Sequence, residues 1–156
     1  MTDEVTAEVT PNIEAEEGYR PYVYDDANGQ PIVAGYTVIG NPTIGYGRLL
    51  TKAHGISASE AQMLLLHDVA AAEGDVSGLP VFAHLNVARQ AALLDMDFNM
   101  GLATVEQFGT FLHLLASGQY QAAADDLGNT LWARQVGSRA TRIRQIIASG
   151  QWVKAA

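Results

Sequence analysis

Residues 16–50 read EEGYRPYVYDDANGQPIVAGYTVIGNPTIGYGRLL, and the fold turns on this stretch. Residues 19–26 mix aromatic and β-branched side chains (Tyr22, Val23, Tyr24), the composition of a short strand. Asn28-Gly29 is a type I′ hairpin signal, because both central positions of that turn need positive φ. Residues 31–39, PIVAGYTVI, then read as the return strand, and Gly40-Asn41-Pro42 as a further turn. Thr43-Ile44-Gly45-Tyr46-Gly47 reads as a third strand whose glycines let another group approach the backbone. The expectation is a small antiparallel sheet over residues 20–50.

Upstream, residues 1–9 are polar and acidic and are expected to be loosely ordered. Thr10 can cap a helix with Pro11 at its first position, running over Asn12–Glu17 and stopped by Gly18. Glu14, Glu16 and Glu17 then sit at the negative end of the helix dipole. Acids placed there require a compensating cation or a function.

Downstream the pattern becomes helical. Ser57 and Glu60 form a capping box opening a helix to about Glu73, with a loop from Gly74 to Pro80. Asn86 can cap a helix that is apolar on most sides (Val87, Ala91, Leu93, Leu94, Met96, Phe98, Met100) and ends at Gly101, so it should be the buried centre. Thr104 with Gln107 restarts a helix carrying Val105, Phe108, Leu112 and Leu115 in register up to Ser117-Gly118. Shorter helices are expected at about 119–127, 130–135 and 138–149, the last stopped by Gly150. The fold class is α+β: one domain over 1–156, with a β lobe and first helix at about 10–56, a helical lobe at about 57–156, and a cleft where they meet.

Composition narrows the functional classes. A net charge of −8 argues against a nucleic-acid binder, which needs a basic footprint. The absence of cysteine excludes disulfides and thiolate chemistry. His54, His67, His84 and His113 are too scattered for a metal set, so neither metal nor cofactor is expected. Gly45-Tyr46-Gly47 lacks the third glycine and following helix of a dinucleotide loop. No window reaches the about 18 apolar residues of a membrane span. The start, MTDEVTAEVTPN, lacks the basic residue and apolar run of a signal peptide, so export is expected to use another route. Charge is uneven: acids crowd the first 26 residues, whereas Arg134, Arg139, Arg142, Arg144 and Lys154 stand without an acid in the last 23. The two ends either attract each other or form two solvated faces of opposite sign.

The chemistry that such a stretch suits is glycoside hydrolysis, which needs one protonated carboxylic acid and a second carboxylate. Glu17, Asp25, Asp26 and Thr43 are the candidates.

Glu17-Gly18, Tyr24-x-Asp26 and Thr43-Ile44-Gly45-Tyr46-Gly47 followed by Leu49-Leu50-Thr51 resemble the signature of the bacteriophage T4-type lysozymes. Ala91–Gly101 is similar to that family's central helix. Trp132-x-x-Gln135, Arg139-Ala140-x-Arg142 and Gly150-x-Trp152 are similar to its C-terminal segment, so the resemblance spans about residues 12–153. By position it implies Glu17 as general acid, Asp26 rather than Asp25 as second carboxylate, and Thr43 as the hydroxyl that helps hold the attacking water. Partial desolvation in a cleft is expected to keep Glu17 protonated near neutral pH, and Asp26 is expected to stay ionised in its solvated turn. An inverting mechanism is implied, for which the carboxyl groups should stand roughly 6.5–9.5 Å apart. Leu49, Phe98 and Asn99 are implied as substrate wall, and Arg139, with Arg142 beside it, as support for Glu17.

The resemblance further implies a peptidoglycan muramidase, an endolysin serving host cell lysis. It would be a monomer that accumulates in the host cytoplasm and reaches the periplasmic wall through a holin-like membrane permeabiliser, without stable membrane insertion. A lytic transglycosylase and a catalytically silent wall-binding module are the competing readings. Two departures stand out. The segment Gln30–Asn41 is longer than the family's and is expected to overhang the cleft. Arg48 stands where a familiar member has His, and is expected to pair with Asp68 without the pH switch of a His.

Overall fold

The computed structural model describes residues 3–154 and divides the chain into two units, Met1–Ala61 and Gln62–Ala156. The α+β composition expected from the sequence is present, with the strands in the first unit and most helices in the second.

In the first unit, helix α1 spans Asp3–Glu17 with Pro11 inside it. From Asp3 onward the expected loose tail and Thr10 cap are therefore replaced by a continuous helix, while residues 1 and 2 of that tail lie outside the described residues. Pro11 removes one backbone donor, a cost of about 3 kcal/mol in a helix interior. The Thr10 hydroxyl, instead of capping, donates back to the Thr6 carbonyl at 2.7 Å. Gly18, at φ 67°, ends the helix as expected and donates its N–H to the Glu14 carbonyl.

Strands β1 (Arg20–Asp25), β2 (Pro42–Gly45) and β3 (Arg48–Leu49) form an antiparallel sheet in that order. The expected return strand over 31–39 is not there. β1 pairs directly with β2, Tyr24 opposite Thr43 and Asp25 opposite Pro42, and only an isolated bridge joins Tyr24 to Pro31. Two local facts explain this. Pro31 has no N–H for a ladder, and the N–H groups of Ile39 and Gly40 donate to the Asp25 carboxylate, at 2.6 and 2.9 Å. Residues 31–41 are thus a loop wound around Asp25.

Helix α2 (Ala58–Ser77) opens with the expected capping box: Glu60 accepts from the Ser57 N–H at 2.7 Å and its own N–H donates to the Ser57 hydroxyl. It runs through Gly74, so the expected loop begins later.

In the second unit a 3-10 turn at Phe82–His84 leads to α3 (Val87–Met100), capped by Asn86 and closed by Gly101. It is followed by α4 (Leu102–Val105), α5 (Gly109–Ala116), α6 (Tyr120–Gly128), α7 (Leu131–Val136) and α8 (Ser138–Ser149). The single helix expected over 104–117 is two helices. The chain turns at Phe108, whose ring meets Trp132 edge-on at 6.4 Å. α3 packs on α4 and α8, and α6 on α5 and α8, around fully buried Leu93, Met96, Phe111, Leu127, Ile143 and Ile147. Burying one such side chain stabilises by about 1.5–3 kcal/mol, and the apolar face of α8 buries Ile146 beside Ile143 and Ile147. Arg89 ties α3 to the end of α8: Nε donates to the Ile147 carbonyl at 2.8 Å while the guanidinium lies 3.5 Å from the Tyr120 ring centre. No helix among the described residues is long and apolar enough to cross a membrane.

Candidate active site

The end of α1 is held in place by its neighbours. Tyr19, just past Gly18, packs against Tyr46 with ring centres 5.4 Å apart. Tyr46 sits in the turn between β2 and β3, flanked by Gly45 and Gly47, both at positive φ. Gly47 is the close approach that the sequence pattern pointed to. A Cβ there would lie 2.5 Å from Glu17 Oε2, so the Glu17 carboxyl occupies the space a side chain would need.

Glu17, Asp26, Thr43 and Leu49 line one pocket of about 630 Å³, together with Arg20, Tyr24, Ala27, Asn28, Gly29 and Gly47. Three expected catalytic groups and one expected substrate-wall residue therefore share a surface. Glu17 is exposed. None of residues 30–41 lines this pocket. The single cation in its wall is Arg20, which donates to the Gly29 carbonyl at 3.0 Å and stacks 4.2 Å from the Tyr24 ring centre.

The neighbouring acids Asp25 and Asp26 have opposite surroundings. Asp25 is the last residue of β1 and Asp26 begins the turn that follows it. Asp25 is fully buried. Its carboxylate accepts N–H groups from Ile39, Gly40 and Ala27 and the Tyr36 hydroxyl. These donors, the Ile39 N–H foremost, hold its pKa below the usual carboxylate value against the opposing effect of burial. Asp26 is exposed, its Oδ1 accepting from the Asn41 N–H at 2.7 Å and its Oδ2 from Asn41 Nδ2 at 3.1 Å. Thr43, buried at 2% exposure, donates its hydroxyl to the Asn41 carbonyl at 3.1 Å.

Asn41 was not singled out in the sequence. The available signal was an Asn between Gly40 and Pro42, two residues before Thr43, where side-chain amides often organise turns.

Arg48, expected to pair with Asp68, is seated on Glu60, with Nη1 to Oε1 at 2.6 Å and Nη2 to Oε2 at 3.0 Å, and also donates to the Gly55 carbonyl. Glu60 is already fixed by the capping box, so Arg48 meets a preorganised fork. Asp68 stands 4.0 Å from His67, both exposed.

In the second unit Arg139 and Arg142 converge on Asp95: Arg139 Nε to Oδ1 at 2.7 Å and Arg142 Nη2 to Oδ2 at 2.9 Å. The Arg139 guanidinium thus has an acid of its own unit as partner. Phe98 is 42% exposed, so it is not the plain core residue its helix would suggest. Asn99 is exposed and accepts from Trp132 Nε1 at 2.8 Å. That bond leaves its amide N–H groups available.

Among the described residues no group of acids and histidines is arranged to hold a metal ion.

Comparison with known proteins adds independent information. The chain is 30% identical over 152 residues to the pre-baseplate central spike protein Gp5 of Enterobacteria phage T4, covering 86% of this chain but 26% of that protein. It is 27% identical over 99 residues to probable T4-type lysozyme 1 of Dictyostelium discoideum (61% of this chain, 58% of the relative). Probable T4-type lysozyme 2 of the same organism is 26% identical over 140 residues, 71% of this chain and 82% of the relative. The chain thus spans about a quarter of the phage spike protein and under two thirds of the first Dictyostelium relative. The phage lysozyme family model matches residues 14–145, a range that holds Glu17, Asp26, Thr43 and the pocket around them. With most of its length and its candidate site inside that match, the chain belongs to the phage lysozyme family.

Proposed function

We propose that this protein is a lysozyme: a glycosidase that hydrolyses the β-1,4 bond between N-acetylmuramic acid and N-acetylglucosamine in bacterial peptidoglycan, with inversion at the anomeric carbon. The observation that carries the reading is the pocket in which Glu17, Asp26 and Thr43 meet.

The roles follow from donor and acceptor chemistry. Glu17, protonated, gives its proton to the glycosidic oxygen as the bond to the anomeric carbon breaks. Asp26 has one lone-pair direction on each oxygen taken by Asn41 and others open to water. The proton of the Thr43 hydroxyl is committed to the Asn41 carbonyl, so its oxygen is left to accept. One water can therefore donate to Asp26 and to Thr43 and direct a lone pair at the anomeric carbon from the face opposite the leaving oxygen. Asp26 takes the water proton and stabilises the positive charge on the sugar ring. Leu49 lines the same pocket and is assigned, with Phe98 and Asn99, to substrate contact. Arg139 is assigned as a counter-charge for Glu17, shared with Asp95, with Arg142 supporting the same acid.

The biological reading is host cell lysis, with access to the wall supplied by a membrane-permeabilising partner. The test is digestion of purified peptidoglycan by the parent and by Glu17→Gln. Reducing muramic acid ends from the parent alone support the hydrolase. Anhydro ends would assign a transglycosylase instead, and an inactive parent a wall-binding module.

A further inference from the structure

Asn41 occupies a position that nothing above explains. It is the last residue of the loop wound around Asp25, and it touches both groups assigned to the water. Its backbone N–H and its side-chain amide grip the two oxygens of Asp26, at 2.7 and 3.1 Å. Its carbonyl accepts two donors at 3.1 Å: the backbone N–H of Asp26 and the hydroxyl of Thr43. One residue thus fixes the plane of the carboxylate, ties the turn that carries it, and sets which way the Thr43 proton points. The amide orientation is dictated by chemistry, because only an NH₂ can donate to a carboxylate.

Asn41 is itself positioned. Pro42 follows it and pairs with Asp25 in the sheet. Gly40 precedes it, with its N–H on Asp25 at 2.9 Å. A Cβ on Gly40 would overlap Asp26 Oδ1 and come within 2.8 Å of both Ala27 Cβ and Asp25 Oδ1. The loop therefore reaches the site from behind: buried Asp25 anchors it through the N–H groups of Ile39 and Gly40, and it ends on Asn41.

We infer that Asn41 is a positioning residue for the hydrolytic water, and that the 30–41 loop, anchored on Asp25, exists to deliver it to Asp26 and Thr43. This rests on the reading of Asp26 and Thr43 as the water-holding pair. A water-holding pair must be preorganised to a fraction of an ångström, since misplacement by about 1 Å can cost about 100-fold in rate. Asp26 alone is an exposed side chain on a turn, and Asn41 supplies the rigidity it lacks.

The experiment compares Asn41→Ala and Asn41→Asp with the parent, Glu17→Gln and Asp26→Asn, measuring kcat and KM for release of reducing ends from purified peptidoglycan, with a thermal melt of each. Asn41→Asp preserves shape and backbone contacts but sets a second carboxylate against Asp26. A positioning role therefore makes Asp the more harmful change: kcat should fall about 10-fold in Asn41→Ala and about 100-fold in Asn41→Asp, with KM within about twofold of the parent. A purely structural role makes the loss of kcat in each variant follow its loss of melting temperature, and overturns the inference. Should Asn41→Asp melt below the assay temperature, Asn41→Ala decides alone, and parental kcat there overturns it. If both variants match the parent while Glu17→Gln and Asp26→Asn are inactive, the Asn41 inference fails and the reading of the site stands. If Asp26→Asn keeps full activity, or the parent releases no sugar ends, that reading fails and takes the inference with it.

Discussion

The carboxyl group of Glu17 rests against the α-carbon of Gly47, so closely that a methyl group there would come 2.5 Å from Oε2. This contact joins the end of α1 to the turn between β2 and β3, and a side chain at position 47 would take the place of the Glu17 carboxyl. Gly47→Ala should push Glu17 off its position and reduce kcat at least about 10-fold. Because Gly47 has φ 74°, the same change adds about 1–2 kcal/mol of backbone strain. Activity and melting temperature measured together separate the two effects: stabilising mutations elsewhere should restore the melt but not the rate.

Asp25 is predicted to matter for stability and not for chemistry. Its pKa is depressed chiefly by the Ile39 N–H, with the Ala27 and Gly40 N–H groups and the Tyr36 hydroxyl adding to it. The folded state therefore binds the proton less readily than the unfolded chain. The stabilisation is complete above the unfolded value and is lost as pH falls below about 4 through the folded value. Asp25→Ala should lower the melting temperature at neutral pH and flatten this acid limb. An unchanged melt at pH 7 would contradict the role.

Asp95 gathers two guanidinium groups that would otherwise face each other half-buried. Asp95→Ala should destabilise the helical unit by about 2–3 kcal/mol, most of it from the cations left unpaired. Chemical denaturation reads this directly. Arg142→Ala in the same background should cost less than it does alone, the signature of a shared partner.

Asp97 has the opposite character to Asp25. It is 5% exposed, its Oδ1 has no hydrogen-bond partner among the described residues, and burial first, then the charge of Asp75, push its pKa up. The folded state holds this proton more tightly, so the contribution of Asp97 to stability is largest in acid and declines as pH rises from about 4 through the folded value. Asp97→Asn should remove that decline and raise the neutral-pH melting temperature by a few degrees. A melt that falls at every pH would contradict it.

The second unit was largely legible in the sequence because its signals are local. Asn86 caps α3 and Gly101 closes it, Thr130 caps α7, and Gly150 closes α8, each where a side chain or a positive φ meets a helix end. That Glu17, Asp26 and Thr43 line one pocket was legible because the motif is short and the sheet is built from the same residues. The loop was not. PIVAGYTVI has strand composition, but the N–H groups of Ile39 and Gly40 go to a carboxylate 14 and 15 residues away. No local pattern announces such a bond. The same holds for Arg48, whose acid lies 12 residues on and doubles as a helix cap. It holds again for the Asp95 fork, which closes over separations of 44 and 47 residues. Pro11 misled in another way, since a residue that favours a helix start is here tolerated within the helix.

The central claim is that water, held by Asp26 and Thr43, attacks the anomeric carbon while Glu17 protonates the leaving oxygen. Digesting purified peptidoglycan in heavy-oxygen water and analysing the fresh muramic acid ends by mass spectrometry and proton NMR tests it most directly. The account predicts heavy oxygen at the new anomeric hydroxyl, released in the α configuration, with no product from Glu17→Gln. Fresh ends in the β configuration, or anhydro ends without heavy oxygen, would contradict it.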